Sequence, residues 1–380
     1  MSLGAHQSAG MPYNIVGRLH QLFMNIVADA RWQAFATRMP VMRWFARRDG
    51  EYIFDILAGF CNTAALRALV ELDIFKRLLD GPRAIESLAD DISLHVSDVQ
   101  LLLDAGVALG LLAKSKEYYR LTRRGAVLAG APGLSDIIRH NDVLYRDLSA
   151  PIDMLKKQEA TELAEFWPYV FGARGAVSPQ ISARYSRVMT QTQQMVAEET
   201  LSHVKFHDSD CVLDVGGGHG AFLLKLLERH GHVKSLGLFD LPHVIDGAVE
   251  EFQSQQKTQR IDVHRGSFQD HKLPHGYNVI TLNRVLYDHL DHTVSSLVEK
   301  IYEALPKGGR IIVSEPMRGW SRPNRPGDVY FAFYCRAMQT GTVRHPQDIK
   351  NILKQAGFSR IIGPQSSRPF VTSVIEAHKI

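Results

Sequence analysis

The densest chemical signal in this chain is the run Asp214-Val215-Gly216-Gly217-Gly218-His219-Gly220. Val212–Val215 reads as a buried strand. Ala221–Arg229, with Phe222, Leu223, Leu226 and Leu227 on one side, reads as a helix. Glycines between the two permit a tight bend and close backbone approach to a ligand, and the helix N-terminus adds free N–H groups and positive potential. Asp214 ends the strand, where a carboxylate opposes a pyrophosphate but suits an ammonium group. Asp240, followed by Leu241, ends the next strand in "GLFDLP", where an acid binds ribose hydroxyls. A nucleoside with an amino-acid tail and no phosphates satisfies both acids: S-adenosylmethionine fits, and NAD fits less well. Gly266-Ser267-Phe268 follows the third strand, which makes Ser267 and Phe268 candidates for adenine contact.

From Asp210 onward, short β-branched runs alternate with helical stretches: Cys211–Val215, Ser235–Phe239, Ile261–His264, Val279–Leu282 and Arg310–Ser314. That alternation predicts a parallel sheet with helices on both faces. Arg360–Ile362 and Phe370–His378 have no helix between them and predict a closing antiparallel hairpin. Upstream, Ile53–Leu79, Pro82–Leu112 and Lys114–Leu121 give helices followed by a hairpin, the order of a winged helix. Its candidate recognition helix carries Asp98, Gln100 and Asp104 and no basic residue, so phosphates repel it. A dimerisation module is therefore favoured over a DNA-binding regulator, and no nucleic-acid partner is expected. The fold class is α/β: a C-terminal doubly wound sheet with a final hairpin, plus an N-terminal, mainly helical winged-helix domain. The division expected is an arm at 1–50, dimerisation and pocket helices at 51–200, and a cofactor-binding domain at 201–380.

The arm mixes Leu19, Leu22, Phe23, Trp32, Phe35, Trp44 and Phe45 with Arg18, Arg31, Arg38, Arg43, Arg47 and Arg48, interrupted at Pro40. It suits either a membrane-surface segment across residues 12–48 or an arm packed on the body or on a partner subunit. The formal charge of +4 over 380 residues gives no bulk affinity for nucleic acid. Cys61, Cys211 and Cys335 are widely spaced, which suggests neither a metal site nor a disulfide framework. A cytoplasmic protein, with membrane association open, is the expectation. Tyr330, Phe333, Tyr334 and Met338 form one aromatic and thioether-rich segment. With Trp167 and Met189 they suit a wide apolar pocket for a large hydrophobic small molecule.

"LDVGGGHGAF", "FDLPHVI", "GSF", "RVLYDHLD", "EALPKGGRIIVSEPM" and "KQAGF" occur in the order found in O-methyltransferases of the caffeate and acetylserotonin type. The resemblance spans roughly residues 46–380. "ARRDGEYIFDILAGF", "IRHNDVLYRDL", "FWPYVFGA" and "GDVYFAFYCRAMQTG" are similar to the bacterial carotenoid branch, the hydroxyneurosporene and demethylspheroidene O-methyltransferases. The resemblance implies a Rossmann-like methyltransferase domain, a homodimer joined through the N-terminal domain with exchanged helices, and methylation of a hydroxyl, with a hydroxylated carotenoid first. Arg284 matches a cofactor-contacting position. Glu315 matches an acid that orients the catalytic base. Where the wider family has His-Asp-Trp, this chain has Tyr287-Asp288-His289, so Tyr287 and His289 are the catalytic candidates. C-methylation, or a member that no longer transfers methyl, is the alternative on the same scaffold.

Overall fold

The computed structural model describes residues 15–156, 160–166 and 192–380, and they fall into two compact units.

The first unit comprises residues 1–72 and 83–119. Its helices run Ile15–Ala28, Ala30–Ala36, Pro40–Leu57, Gly59–Glu71, Ile85–Ile92 and Val96–Ala108. Pro40 opens the third helix, where its missing N–H costs nothing. A small sheet, β1 (Arg83–Ala84), β2 (Leu112–Ser115) and β3 (Tyr118–Leu121), follows the order β1-β3-β2. The acidic helix Val96–Ala108 runs straight through Gly106, a glycine because a Cβ there would press on Leu112 Cδ1 at 2.8 Å. Asp104 on that helix accepts from Tyr119 Oη at 2.7 Å and from Lys114 Nζ at 3.2 Å. Its acidity is thus spent on fixing the hairpin.

The second unit comprises residues 73–82 and 120–380. Seven strands form one sheet: β4 (Cys211–Val215), β5 (Ser235–Asp240), β6 (Ile261–Arg265), β7 (Val279–Asn283), β8 (Arg310–Glu315), β9 (Ser359–Gln365) and β10 (Ser373–His378). The spatial order is β6-β5-β4-β7-β8-β10-β9. The first five are parallel, and β10 is antiparallel to both β8 and β9. Buried side chains pack on the sheet in two clusters, one around Leu213, Ile280, Leu297 and Leu353, the other around Leu223, Leu236, Ala248 and Phe252. Strand order reverses between β4 and β7, and in such sheets ligands bind beyond the carboxyl ends at that crevice. No single helix among the described residues is long and apolar enough to cross a membrane. Pro40–Leu57 and Gly59–Glu71 pass only as a pair bent by 53°.

Candidate functional site

Five strand ends converge on the crevice. The glycine turn follows β4, Asp240 ends β5, Ser267-Phe268 follows β6, Arg284–His289 follows β7, and Glu315 ends β8.

Gly218 has φ +60°, a region L side chains avoid, and open space lies where its Cβ would project. Gly217 is a glycine for another reason. A Cβ there would overlap Oδ2 of Asp214 and meet Leu238 Cδ1 at 2.7 Å. Asp240 ties the turn together: Gly218 N donates to its Oδ2 at 2.8 Å and Leu241 N to its Oδ1 at 2.7 Å. Burial pushes the Asp240 carboxyl up to about 6.

Asp214 is fully buried beneath the turn. Its Oδ1 accepts from Thr281 Oγ1 at 2.6 Å and from Asn283 Nδ2 at 2.9 Å, while Oδ2 finds no hydrogen-bond partner among the described residues. Burial pushes this carboxyl up to about 7. A cation above the turn would favour its ionised form, so open space over Gly218, a half-exposed Asp240 and an orphaned carboxylate oxygen together fit a nucleoside with a cationic tail. Thr281 and Asn283 were not picked out from sequence. Only the pairing of Asp214 with Thr281 across β4 and β7 reveals them.

On the β6 side, Ser267 Oγ accepts from Gln269 N at 3.2 Å, and Lys300 Nζ donates to the carbonyls of Phe268 and Gln269 at 2.7 Å each. Phe268 is half-buried and meets the His289 ring edge-on, with centroids 5.2 Å apart. The His289 imidazole therefore lies beside the candidate adenine contact. Burial, with Arg344 nearby, lowers it to about 4.

Arg284 adopts φ +59°, a strained conformation for this residue type. Its guanidinium donates to Thr192 Oγ1 at 3.2 Å and to Tyr287 Oη at 3.4 Å, and lies 5.7 Å from the Tyr287 ring centroid. Tyr287 is 2% exposed, and burial raises its phenol well above the ordinary value. Glu315 touches neither side chain that it was expected to orient. Its Oε1 accepts from Val285 N and Leu286 N at 2.8 and 2.7 Å, and Oε2 from Tyr287 N at 3.3 Å, so it holds the backbone turn Leu286–Asp288. Burial pushes this carboxyl up to about 7. Arg344, which sequence reading missed, grips the same turn from outside through Leu286 O at 2.6 Å and His289 O at 2.8 Å. Neither Asp288 nor Asp291 caps the next helix. Asp291 lies in its first turn and pairs with Arg344 at 2.6 Å.

Tyr330 and Phe333 are half-buried, while Tyr334 and Met338 are buried against Val143, Leu144, Met154 and Leu163. Two polar pairs stud this wall: Tyr330 Oη donates to Asn141 Oδ1 at 2.9 Å, and Tyr334 Oη and His140 Nε2 lie 2.8 Å apart. Trp167 and Met189 lie outside the described residues.

Comparison with known proteins agrees with this geometry. An O-methyltransferase domain family matches residues 145–359, and an O-methyltransferase dimerisation domain matches residues 54–130. Demethylspheroidene O-methyltransferase of Cereibacter sphaeroides is 44% identical over 94% of this chain and 95% of its own length. The Rhodobacter capsulatus enzyme of the same name is 41% identical over 96% and 90%. The solved structure of human N-acetylserotonin methyltransferase in complex with SAM superposes with a TM-score of 0.72 at 21% identity, covering 87% of this chain and 97% of that one. The pyocyanin biosynthetic protein PhzM superposes at 0.73 and 18%, covering 88% and 99%. With the dimerisation match over residues 54–130, the catalytic-domain match over most of the second unit and 44% identity to a relative over 94% of this chain's length, the chain belongs to the S-adenosylmethionine-dependent O-methyltransferases.

Proposed function

We propose that this enzyme methylates a hydroxyl of a hydroxylated carotenoid, acting as a homodimer joined through its N-terminal domain, with the 1–50, 51–200 and 201–380 segments as arm, dimerisation and pocket helices, and cofactor domain. The observation that carries the substrate is 44% identity, nearly end to end, with a demethylspheroidene O-methyltransferase. The partly exposed Tyr330 and Phe333 support it, since the Tyr330 hydroxyl is already paired with Asn141 and the two rings back onto the buried Tyr334 and Met338. Peripheral contact with a membrane through residues 12–48 and a cytoplasmic location complete the reading.

Bound S-adenosylmethionine supplies a methyl group activated on a sulfonium. Asp240 and Leu241 hold the ribose side, Gly216–Gly218 and Asp214 the amino-acid tail, Ser267 and Phe268 the adenine, and Arg284 the rim of the site. Tyr287 does not serve as the base, because burial raises its phenol and keeps it protonated. Its oxygen, fixed by Arg284, keeps a proton and a lone pair with which to orient a hydroxyl. An aliphatic hydroxyl is itself too weak an acid to ionise first, so its proton leaves as the new oxygen–carbon bond forms and passes to solvent water. His289 is neutral throughout the working range and packs on Phe268, which makes it a support for the adenine side. Glu315 positions Tyr287 by holding the backbone beneath it.

Turnover of a detergent-dispersed hydroxylated carotenoid, compared with catechols and other phenols, tests the substrate class. Saturable carotenoid turnover with phenols at background is the expected result. Faster turnover of a phenol would overturn it.

A further inference from the structure

The first helices of the chain leave an apolar face uncovered. Among residues 18–57 Ala36 alone is buried. Leu19, Leu22 and Phe23 are 61%, 58% and 57% exposed, and Trp44 and Phe45 56% and 57%. In Ile15–Ala28, Leu19, Leu22, Phe23 and Ile26 follow helical spacing along one side. Gln21 and Asn25, hydrogen-bonded to each other at 3.1 Å, mark the other. Asp29 caps the next helix by accepting from Arg31 N and Trp32 N at 2.8 and 3.0 Å, so the arm keeps its helical form across this bend. Apolar faces of this extent are rarely left in water.

Charge selects the occupant. Residues 15–48 hold six arginines, Arg18, Arg31, Arg38, Arg43, Arg47 and Arg48, against one acid, Asp29. The whole chain carries only +4, so the positive excess is concentrated here. A second copy of the arm would bring like charge to like charge. The dimerisation match also begins only at residue 54, beyond the arm. The Arg48 guanidinium lies 5.5 Å from the Trp44 ring centroid, a cation-and-indole pairing suited to a headgroup layer.

We infer that residues 15–48 dock on a bilayer that contains anionic lipid, with Leu19, Leu22, Phe23 and Ile26 among the upper acyl chains and the arginines on headgroup phosphates. The inference rests on the peripheral-contact reading and deepens it by naming the lipid class and the inserted face.

The test is flotation of the full-length protein with phosphatidylcholine vesicles, with and without phosphatidylglycerol. Binding should require phosphatidylglycerol, weaken with salt, fall about fivefold when Arg18 or Arg43 is changed to Gln, and vanish in Leu22→Glu/Phe23→Glu. Those variants should keep the wild-type dimer mass and their turnover of detergent-dispersed substrate. Equal binding to both vesicle types overturns the anionic-lipid assignment while leaving peripheral contact standing, and binding to neither overturns both. A drop to monomer mass in Leu22→Glu/Phe23→Glu assigns the face to a second copy and overturns the inference. Failure of the carotenoid reading appears separately, as absent turnover in detergent.

Discussion

Asp240→Asn separates a cofactor role for Asp240 from a merely structural one. The native carboxylate offers about four acceptor positions, and two are taken by Gly218 N at 2.8 Å and Leu241 N at 2.7 Å. The remaining positions are those available to ribose hydroxyls. An asparagine has one oxygen, so whichever way the amide turns, one backbone N–H faces an NH₂ and at least one ribose hydroxyl loses a charged acceptor. A hydrogen bond to a charged group contributes about 1.5–3 kcal/mol, so S-adenosylhomocysteine should bind about ten- to a hundredfold more weakly. Calorimetric titration at about pH 8 reads this directly. 5′-Methylthioadenosine, which keeps the ribose and lacks the amino-acid tail, should lose a similar factor. There is also a signature in pH. Burial holds Asp240 at about 6 in the free protein, so wild-type affinity for methylthioadenosine, which lacks the tail that Asp214 faces, should fall as pH drops through that value while the Asn variant stays flat. A wild-type dissociation constant in the variant, or loss for S-adenosylhomocysteine but not for methylthioadenosine, would refute the ribose assignment.

Further outcomes follow from the same geometry. Gly217→Ala should lower the melting temperature because its Cβ overlaps Asp214, and Gly218→Ala should lower it through its φ of +60° and in addition weaken cofactor binding more than Gly217→Ala, because its Cβ enters the open space; weaker cofactor loss in Gly218→Ala than in Gly217→Ala would contradict this. Tyr287→Phe should lower kcat with little change in cofactor KM, and His289→Ala should raise cofactor KM through the lost contact with Phe268; the reverse pattern would assign the catalytic role to His289 instead. Burial raises the carboxyls of Asp214 and Glu315 to about 7. A raised folded pKa gives stability that is present at low pH and lost as pH rises through that value. Wild type should therefore lose more stability than Glu315→Gln between about pH 5.5 and about pH 8, since the opposing contribution of the lowered His289 is common to both; identical profiles for the two count against a buried, protonated Glu315.

Much of the site was legible in sequence because its signals are local. The strand, glycine bend and helix around residues 211–229 appear where apolar periodicity and turn chemistry placed them, and Asp240 was marked by its place at a strand end. The reason for Gly217 was not legible, since it depends on where the Asp214 carboxylate folds back. Partnerships across the sheet were hidden for the same reason: Thr281 and Asn283 reach Asp214 only through the register of β4 and β7. Glu315 was marked by resemblance as an acid that orients the base, but the backbone route by which it reaches that turn was not legible. Three backbone N–H groups compete for its two oxygens once residues 286–288 close into a 3-10 turn. Arg344 gave no sequence signal, because its partners are carbonyls more than fifty positions away. The aromatic segment was read as pocket lining, and packing divides it: Tyr334 and Met338 are core, and Tyr330 and Phe333 keep partial exposure.

The most direct measurement is the fate of a labelled methyl group. Purified enzyme, methyl-labelled S-adenosylmethionine and a hydroxylated acyclic carotenoid in detergent should yield a product whose label resonates as a methoxy group, formed in step with S-adenosylhomocysteine. Label on carbon, or no transfer while the cofactor still binds, would contradict the account.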